Sequence, residues 1–453
     1  MAKTTSKEMR KTVIYSIFVR NFTEEGTFEA ARKEIGRIKE LGADVIWLMP
    51  IHPIGVKERK GVMGSPYAIQ DYRKINPEFG TMEDFQRLVD TIHENGMKVI
   101  IDVVYNHTSP DSWLSENHPE WFYHKPDGTF GNRVGDWTDI IDLDYSNKEL
   151  WDYQIETLKM WAQYVDGFRC DVASMVPAEF WVRAREEVET VREGCIWLAE
   201  SVDNGFIRSN RAKQVGSWSD SEIFQAFDLS YEYDVYEWYR GYLTGQNTLA
   251  EYAEHLNLQE SVFPDNYVKL RFLENHDQPR IHFYAPDETA LLNWTAFLFF
   301  QKGATMIYNG QEKASRKTPQ LFDKDTVRWT GNGKDGADLD LTDRLKTLIK
   351  VKKEVIPVDS TYHVQALQHD ILAAVHTENV PFRSEIKGKT VLGIFSLRGE
   401  TGVVVLRDLI TGDFRNVGDL VPDGIYKNLA DGTELEVYMG MVSVEGKPII
   451  IEG

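Results

Sequence analysis

The chain has 453 residues, enough for one large barrel with a small appended domain or for two to three average domains. Its 42% hydrophobic and 27% charged content describes an ordinary globular protein, and a formal net charge of −20 argues against nucleic acid or an anionic membrane as a partner. No stretch approaches the roughly 20 apolar residues of a bilayer span, and the polar first ten residues carry no secretory signal, so a cytoplasmic protein with a neutral substrate is expected.

In chain order, residues 12–19 read as a strand. Residues 27–41 have helical spacing, with Phe28, Ala31, Ile35 and Ile38 on one face and a stop at Gly42. Residues 45–49 form a second strand. Residues 81–95 form a helix with a Thr81 cap and an Asn95-Gly96 stop. Residues 97–104, rich in Val and Ile, form a third, buried strand. This β-α-β-α-β grammar implies parallel strands with right-handed crossovers.

The grammar breaks at residues 107–146, which are rich in Pro, Gly, Asp, Trp and Tyr and hold no period. A stretch of that length without structure of its own is normally functional, and it reads as a small excursion domain packed over the barrel mouth. Trp113, Trp121, Phe122, Tyr123 and Trp137 lie in it, as sugar platforms or as its own core.

The alternation then resumes with a helix over 147–164 and strands over 167–171, 195–200, 224–229, 268–273 and 305–308; the last helix spans 342–353. About eight β/α units fit a closed barrel better than an open sheet. After residue 355 short β-type runs follow, at 390–396, 401–406, 434–442 and 448–451, separated by turns rich in Gly and Asp. The expected fold is therefore an α/β (β/α)8 TIM barrel from residues 1–106 and 147–355, an excursion domain over 107–146, and a C-terminal all-β sandwich over 356–453.

Three acids end three apolar runs: Asp171, Glu200 and Asp277. A carboxylate at the tip of a buried strand is costly unless paired, and parallel barrels gather their chemistry at strand tips. Paired carboxylates there point to glycoside chemistry. Side chains alternate along a strand, so Arg169 and Asp171 share a face, and Asp102 joins them from the third strand. A bidentate Asp102–Arg169 pair is expected to hold Arg169 and keep Asp171 ionised. Glu200, among apolar and acidic neighbours, is expected to hold its proton. Cys170 and Cys195 are offset by about four residues on neighbouring strands, roughly 13 Å, too far for the ~7 Å of a disulfide, so two free buried thiols are expected.

Asp-Val-Val-Tyr-Asn-His (102–107), Gly-Phe-Arg-Cys-Asp (167–171), the Glu200 strand and Glu-Asn-His-Asp (274–277) resemble the four ordered regions of the α-amylase family, glycoside hydrolase family 13. Ser-Pro-Tyr-Ala-Ile-Gln-Asp-Tyr (65–72), Ile-Asp-Leu-Asp (141–144) and Tyr-Asn-Gly-Gln-Glu (308–312) support it, and the resemblance runs from about Tyr15 to Trp329. It implies Asp171 as nucleophile, Glu200 as acid and base, and Asp277 as stabiliser of the transition state. Arg169, His107 and His276 would hold the sugar, and Tyr67 would stack on it.

The implied activity is retaining hydrolysis of α-1,4 links in maltodextrins or starch, with α-glucan oligosaccharides as substrate and no organic cofactor. A transglycosylase or α-glucosidase with the same triad, and a catalytically silent carbohydrate-binding subunit, are the alternatives. Asn106 and Asp142, with the Met175 carbonyl, match positions that hold a structural calcium ion (Ca2+) in many members, although position 175 is not the usual His. Residues 60–66, Lys-Gly-Val-Met-Gly-Ser-Pro, depart from the Gly-Tyr-His-Gly-Tyr of many secreted members and suit branches acting on smaller sugars equally well.

Overall fold

Eight short strands pair in parallel around a closed ring. The computed structural model describes residues 4–134, 137–329, 339–381, 384 and 388–453. In chain order the strands are β1 (Val13–Ile17), β2 (Val45–Leu48) and β3 (Lys98–Val103), then a two-stranded ribbon of β4 (His107–Thr108) and β5 (Ile141–Asp142). The barrel continues with β6 (Gly167–Cys170), β7 (Ile196–Ala199), β8 (Leu229–Tyr231), β9 (Lys269–Arg271) and β10 (Ala304–Tyr308), which returns to β1. Both faces of these strands are covered, so their sequences are near-continuous apolar runs without alternation.

Helices wrap the outside. The helix Met82–Glu94 shows why the chain folds so locally. Thr81 and Asp84 form a reciprocal capping box, and Phe85, Leu88, Val89 and Ile92 make one apolar stripe against the barrel.

Several expected elements are re-cut. The run 12–19 is a strand only to Ile17, and Val19–Phe22 turns into a short helix. The helix expected over 27–41 is two helices, Phe28–Lys33 and Ile35–Leu41, that meet at Glu34. Its stop holds, with Gly42 left-handed at φ 110°. The strand expected over 224–229 lies later, at Leu229–Tyr231. Asp220–Ile223 is helical, and the aromatic side chains of Phe224 and Phe227 are buried outside the sheet.

Beyond the helix Thr342–Glu354 come two antiparallel four-stranded sheets. One contains β11 (Ser360–Ala366), β12 (Ile371–Glu378), β13 (Thr390–Ser396) and, at its edge, β18 (Ile449–Glu452). The other contains β14 (Thr401–Val405), β15 (Gly424–Lys427), β16 (Glu434–Tyr438) and β17 (Met441–Glu445). Ile371, Ala373, Val375, Leu392 and Ile394 pack against Val404, Val437, Val442 and Val444 of the other sheet. The opposite face of the first sheet, with Leu372, Ala374, Val391 and Phe395, belongs to the barrel core. Phe395 lies 5.4 Å from both Phe297 and Phe300. The run 434–442 is two strands joined through Met439 and Gly440, at φ 51° and 68°. Two successive positive φ values make the hairpin turn that matches strand twist.

Cys170 and Cys195 are both buried and free. Among the described residues no helix is long and apolar enough to cross a membrane.

Candidate active site

The register of the barrel sets the site. Asp102 stands opposite Arg169 between β3 and β6, and Cys170 stands opposite Ala199 between β6 and β7. Asp171 and Glu200, the next residues on their strands, therefore leave the barrel at the same level. Arg169 joins them. Its Nη1 donates to Asp171 Oδ1 at 2.7 Å and to Asp102 Oδ1 at 2.9 Å, and its Nη2 lies 2.9 Å from Glu200 Oε1. Arg169 is fully buried, with the rings of Trp47, Tyr67 and Tyr231 at 5.1, 5.6 and 5.4 Å. The expected bidentate pair does not form: the second oxygen of Asp102 accepts from the Tyr67 hydroxyl at 3.1 Å.

One guanidinium thus serves three buried carboxylates, and the charge balance is negative. Burial pushes Asp171 up to about 6, against Arg169 and with help from Asp102 and Asp277. Arg169, shared three ways, only partly offsets desolvation, and Asp171 still ionises below neutral pH as expected. Burial pushes Glu200 up further, to about 7, again against Arg169 and with help from Asp171 and Asp277. Both carboxyls are thus pushed up towards neutral pH, where the pair titrates as one unit.

Glu200 is also fixed from the backbone. Val172 N–H donates to Glu200 Oε2 at 2.9 Å. Val172 does so from a left-handed conformation, φ 41° and ψ 41°, which a β-branched residue adopts at a cost of about 1–3 kcal/mol.

Asp277 does not sit at a strand tip. It lies past the end of β9 on a turn that Glu274 holds by accepting from Ile281 N–H at 2.8 Å and pairing with Arg280 at 2.6 Å. Asn275 Oδ1 accepts from Asp277 N–H at 2.9 Å. The Asp277 side chain is 41% exposed and reaches His276 Nε2 at 3.0 Å. Burial works against its charge, but His276 overcomes it and lowers the carboxyl below its ordinary range. Burial likewise opposes a charge on His276, and Asp277 more than offsets it. Tyr67 stacks on the His276 ring at 5.2 Å, with its hydroxyl 2.8 Å from Nε2. His107, opposite Asp142 at the start of the ribbon, is held neutral by burial, at about 4.

These seven residues, Tyr67, His107, Arg169, Asp171, Glu200, His276 and Asp277, come together at the carboxyl end of the barrel, where parallel barrels carry their chemistry. All but Arg169 line one cavity of about 740 Å³. Trp137, expected as a sugar platform or core residue, lies in the wall. The sequence reading missed most of the rest: Lys60, Asp139, Leu321 and Phe322 stand beside Trp137, and Asp203, Phe206, Glu237 and Arg240 come from the loops and helices after β7 and β8. Tyr231, also missed, receives Arg169 Nε–H at 3.3 Å, and its pattern with Tyr233 at every second residue was the available signal.

Asn106 and Asp142 of the proposed calcium set stand together. Ribbon pairing sets Asn106 beside Asp142, and Asn106 Nδ2 lies 3.2 Å from His107 Nδ1. Asp142 Oδ2 accepts from Arg133 N–H at 2.7 Å, and the Arg133 guanidinium stands 3.5 Å away, over the Tyr123 ring. Asp142 Oδ1 is buried, with no partner among the described residues. Met175 lies in the turn Ala173–Met175, where its N–H bonds to Val172. Among the described residues no three His, Cys, Asp or Glu side chains cluster to hold a metal. Asp142 thus carries an unpartnered oxygen that a hard cation would fit, while Arg133 competes for the same carboxylate.

Residues 13–128 and 110–340 match the family model described as "Alpha amylase, catalytic domain", and residues 363–451 match "Bacterial Alpha amylase C-terminal domain". An alpha-amylase crystal structure from Lactobacillus plantarum aligns with a TM-score of 0.89 at 42% identity, over 99% of this chain and 100% of that one. A maltogenic alpha-amylase from Thermotoga neapolitana aligns with a TM-score of 0.83 at 30% identity, over 98% and 99%. The alpha-1,4-glucan:maltose-1-phosphate maltosyltransferase of Rhodospirillum rubrum is 32% identical over 271 residues, 55% of this chain and 36% of that protein. The chain thus matches about a third of that curated relative's length.

Proposed function

The chain belongs to the α-amylase family of glycoside-active enzymes, and from that premise we propose that it hydrolyses α-1,4-glucosidic bonds of maltodextrins with retention of configuration. Asp171 attacks the anomeric carbon and the C–O bond to the leaving sugar breaks. Glu200 gives its proton to the departing oxygen, and a covalent glycosyl-enzyme remains. Glu200, now ionised, takes a proton from water. That water attacks the same carbon, and Asp171 leaves as a carboxylate. Asp277, ionised beside His276, holds sugar hydroxyls and the positive charge of the transition state. Tyr67 and His107 line the same sugar, and Arg169 positions the two reacting acids.

The observation that carries this reading is the single guanidinium of Arg169 contacting both Asp171 and Glu200. Two carboxyls gripped by one guanidinium favour the short spacing of about 5–5.5 Å that retention uses over the wider gap that inversion needs for a water. Burial raises both acids, Asp171 to about 6 and Glu200 to about 7, which supports one shared proton on the pair near neutral pH.

The test is maltoheptaose hydrolysis followed by proton NMR in the first minutes. The first reducing ends formed must be α-anomers. β-anomers, or no cleavage, would reject the reading. The maltosyltransferase relative favours transfer to a sugar as the second reading, and products longer than the substrate would decide for it.

A further inference from the structure

We infer that the cleft is walled off at the end holding the retained sugar, so that the enzyme works on non-reducing chain ends and trims short units instead of cutting within chains. This rests on the proposed hydrolysis of α-glucans.

The wall is built from three segments distant in sequence. The loop after β2 is its keystone. Lys60 Nζ in that loop pairs with Asp139 Oδ1 of the excursion at 2.8 Å, and both residues face the cavity. Behind the pair, Ile54 and Ala68 of the same loop pack with Ile140 and Trp137 of the excursion as a small separate core. Val56 N–H donates to Asp111 at 2.8 Å. On its other flank the loop grips the segment after β10: Met63 N–H donates to Phe322 O at 3.0 Å, and Val62 N–H to Asp323 Oδ1 at 2.8 Å. Gly61, at φ 65°, lies so close that a Cβ would stand 2.6 Å from Phe322 Cβ. The buried Arg20 ties the bases together by donating to Gly64 O and Leu321 O, each at 3.0 Å, and to Met63 O at 3.3 Å. Leu321 and Phe322 then face the cavity beside Lys60.

Position decides which sugar meets the wall. These loops follow β2, β3 and β10, on the arc that carries Tyr67 and His107. Glu200 ends β7, and the helices after β7 and β8 bring Asp203, Phe206, Glu237, Arg240 and Gln246 to the cavity. Glu200, the proton donor, stands on that second arc just past β7, so the leaving sugar is placed there. Glu237, Arg240 and Gln246 are exposed, and the leaving chain runs out past them. The retained sugars point towards Lys60, Asp139 and Phe322 and stop.

The test uses maltoheptaose labelled at its reducing end, with the non-reducing end free or carrying an ethylidene block. The wild type should shorten the free substrate by a constant small step, leaving long labelled remnants early, and cleave the blocked one at least roughly tenfold more slowly. Lys60→Ala and Phe322→Ala should narrow that ratio and add internal cuts. Lys60 is partly exposed but Asp139 is buried, so Lys60→Ala should lower the melting temperature by about a few degrees and stay folded in the assay. Equal rates on the two substrates in the wild type would overturn the wall while leaving the hydrolysis reading intact. Failure to cleave either would remove both.

Discussion

Replacing Glu200 by Gln separates proton donation from everything else the residue does. The amide oxygen can still accept from Val172 N–H, the bond now made at 2.9 Å. The amide nitrogen then faces Arg169 Nη2, where a carboxylate oxygen now stands at 2.9 Å, so an ion pair becomes two opposed donors. General acid catalysis is worth about 10²–10⁴ in rate, or roughly 3–5 kcal/mol at 1.36 kcal/mol per decade. The lost Arg169 contact places the variant near the upper end on a natural glucan. A maltoside of an acidic phenol needs no proton to leave, so formation of the glycosyl-enzyme from it should stay within about tenfold of wild type. The assay is kcat/KM on the two substrates across pH. In the wild type Glu200 works protonated, so activity falls as pH rises through about 7, while Asp171 works ionised, so activity falls as pH drops through about 6. The variant should keep the lower limb and lose the upper one. An upper limb that survives, or an equal loss on both substrates, would refute the assignment of Glu200 as the acid.

Asp171→Asn should stabilise the protein while abolishing turnover. The native carboxyl sits at about 6 against an ordinary 3.8, so the wild type loses stability as pH rises between those values. Calorimetry should find the variant more stable by on the order of 1–3 kcal/mol at pH 8 and by less at pH 5; no gain at pH 8 would contradict the crowded-carboxylate picture. Phe395→Ala removes a fully buried ring between Phe297 and Phe300 and should cost about 3–5 kcal/mol in urea unfolding, with the folded fraction keeping its KM. A cost near zero would mean the sandwich does not share the barrel core. If Arg133 is the cation for Asp142, a chelator leaves the melting temperature unchanged. Arg133→Ala should cost on the order of 2 kcal/mol, less than for a fully buried pair because Arg133 is partly exposed. A drop on chelation alone would assign the site to a metal.

What the sequence made legible follows from how each feature is encoded. Asp171 and Glu200 end apolar runs that must be strands, and parity alone puts Arg169 and Asp102 on the same inner face; the register of β3, β6 and β7 then makes them touch. Parity names neighbours but does not count how many carboxylates share a cation, so the upward push on Asp171 from Asp102 and Asp277 was not legible. In the sandwich, β12 reads Ile-Leu-Ala-Ala-Val-His-Thr-Glu, apolar on both faces because one packs the partner sheet and the other the barrel; the period-2 signal that marks a half-buried strand is erased. The turn at Met439 was hidden because a residue type that rarely takes positive φ occupies it. Lys60 and Asp139 are the extreme case: neither belongs to a periodic element, and their meeting depends on where the excursion lands on the barrel. Catalytic groups on strands are specified by local pattern, whereas the groups that choose among substrates ride on loops whose positions only the assembled core determines. Specificity is for that reason set by the assembled fold, and the Lys60 loop is where a change of substrate should be engineered first.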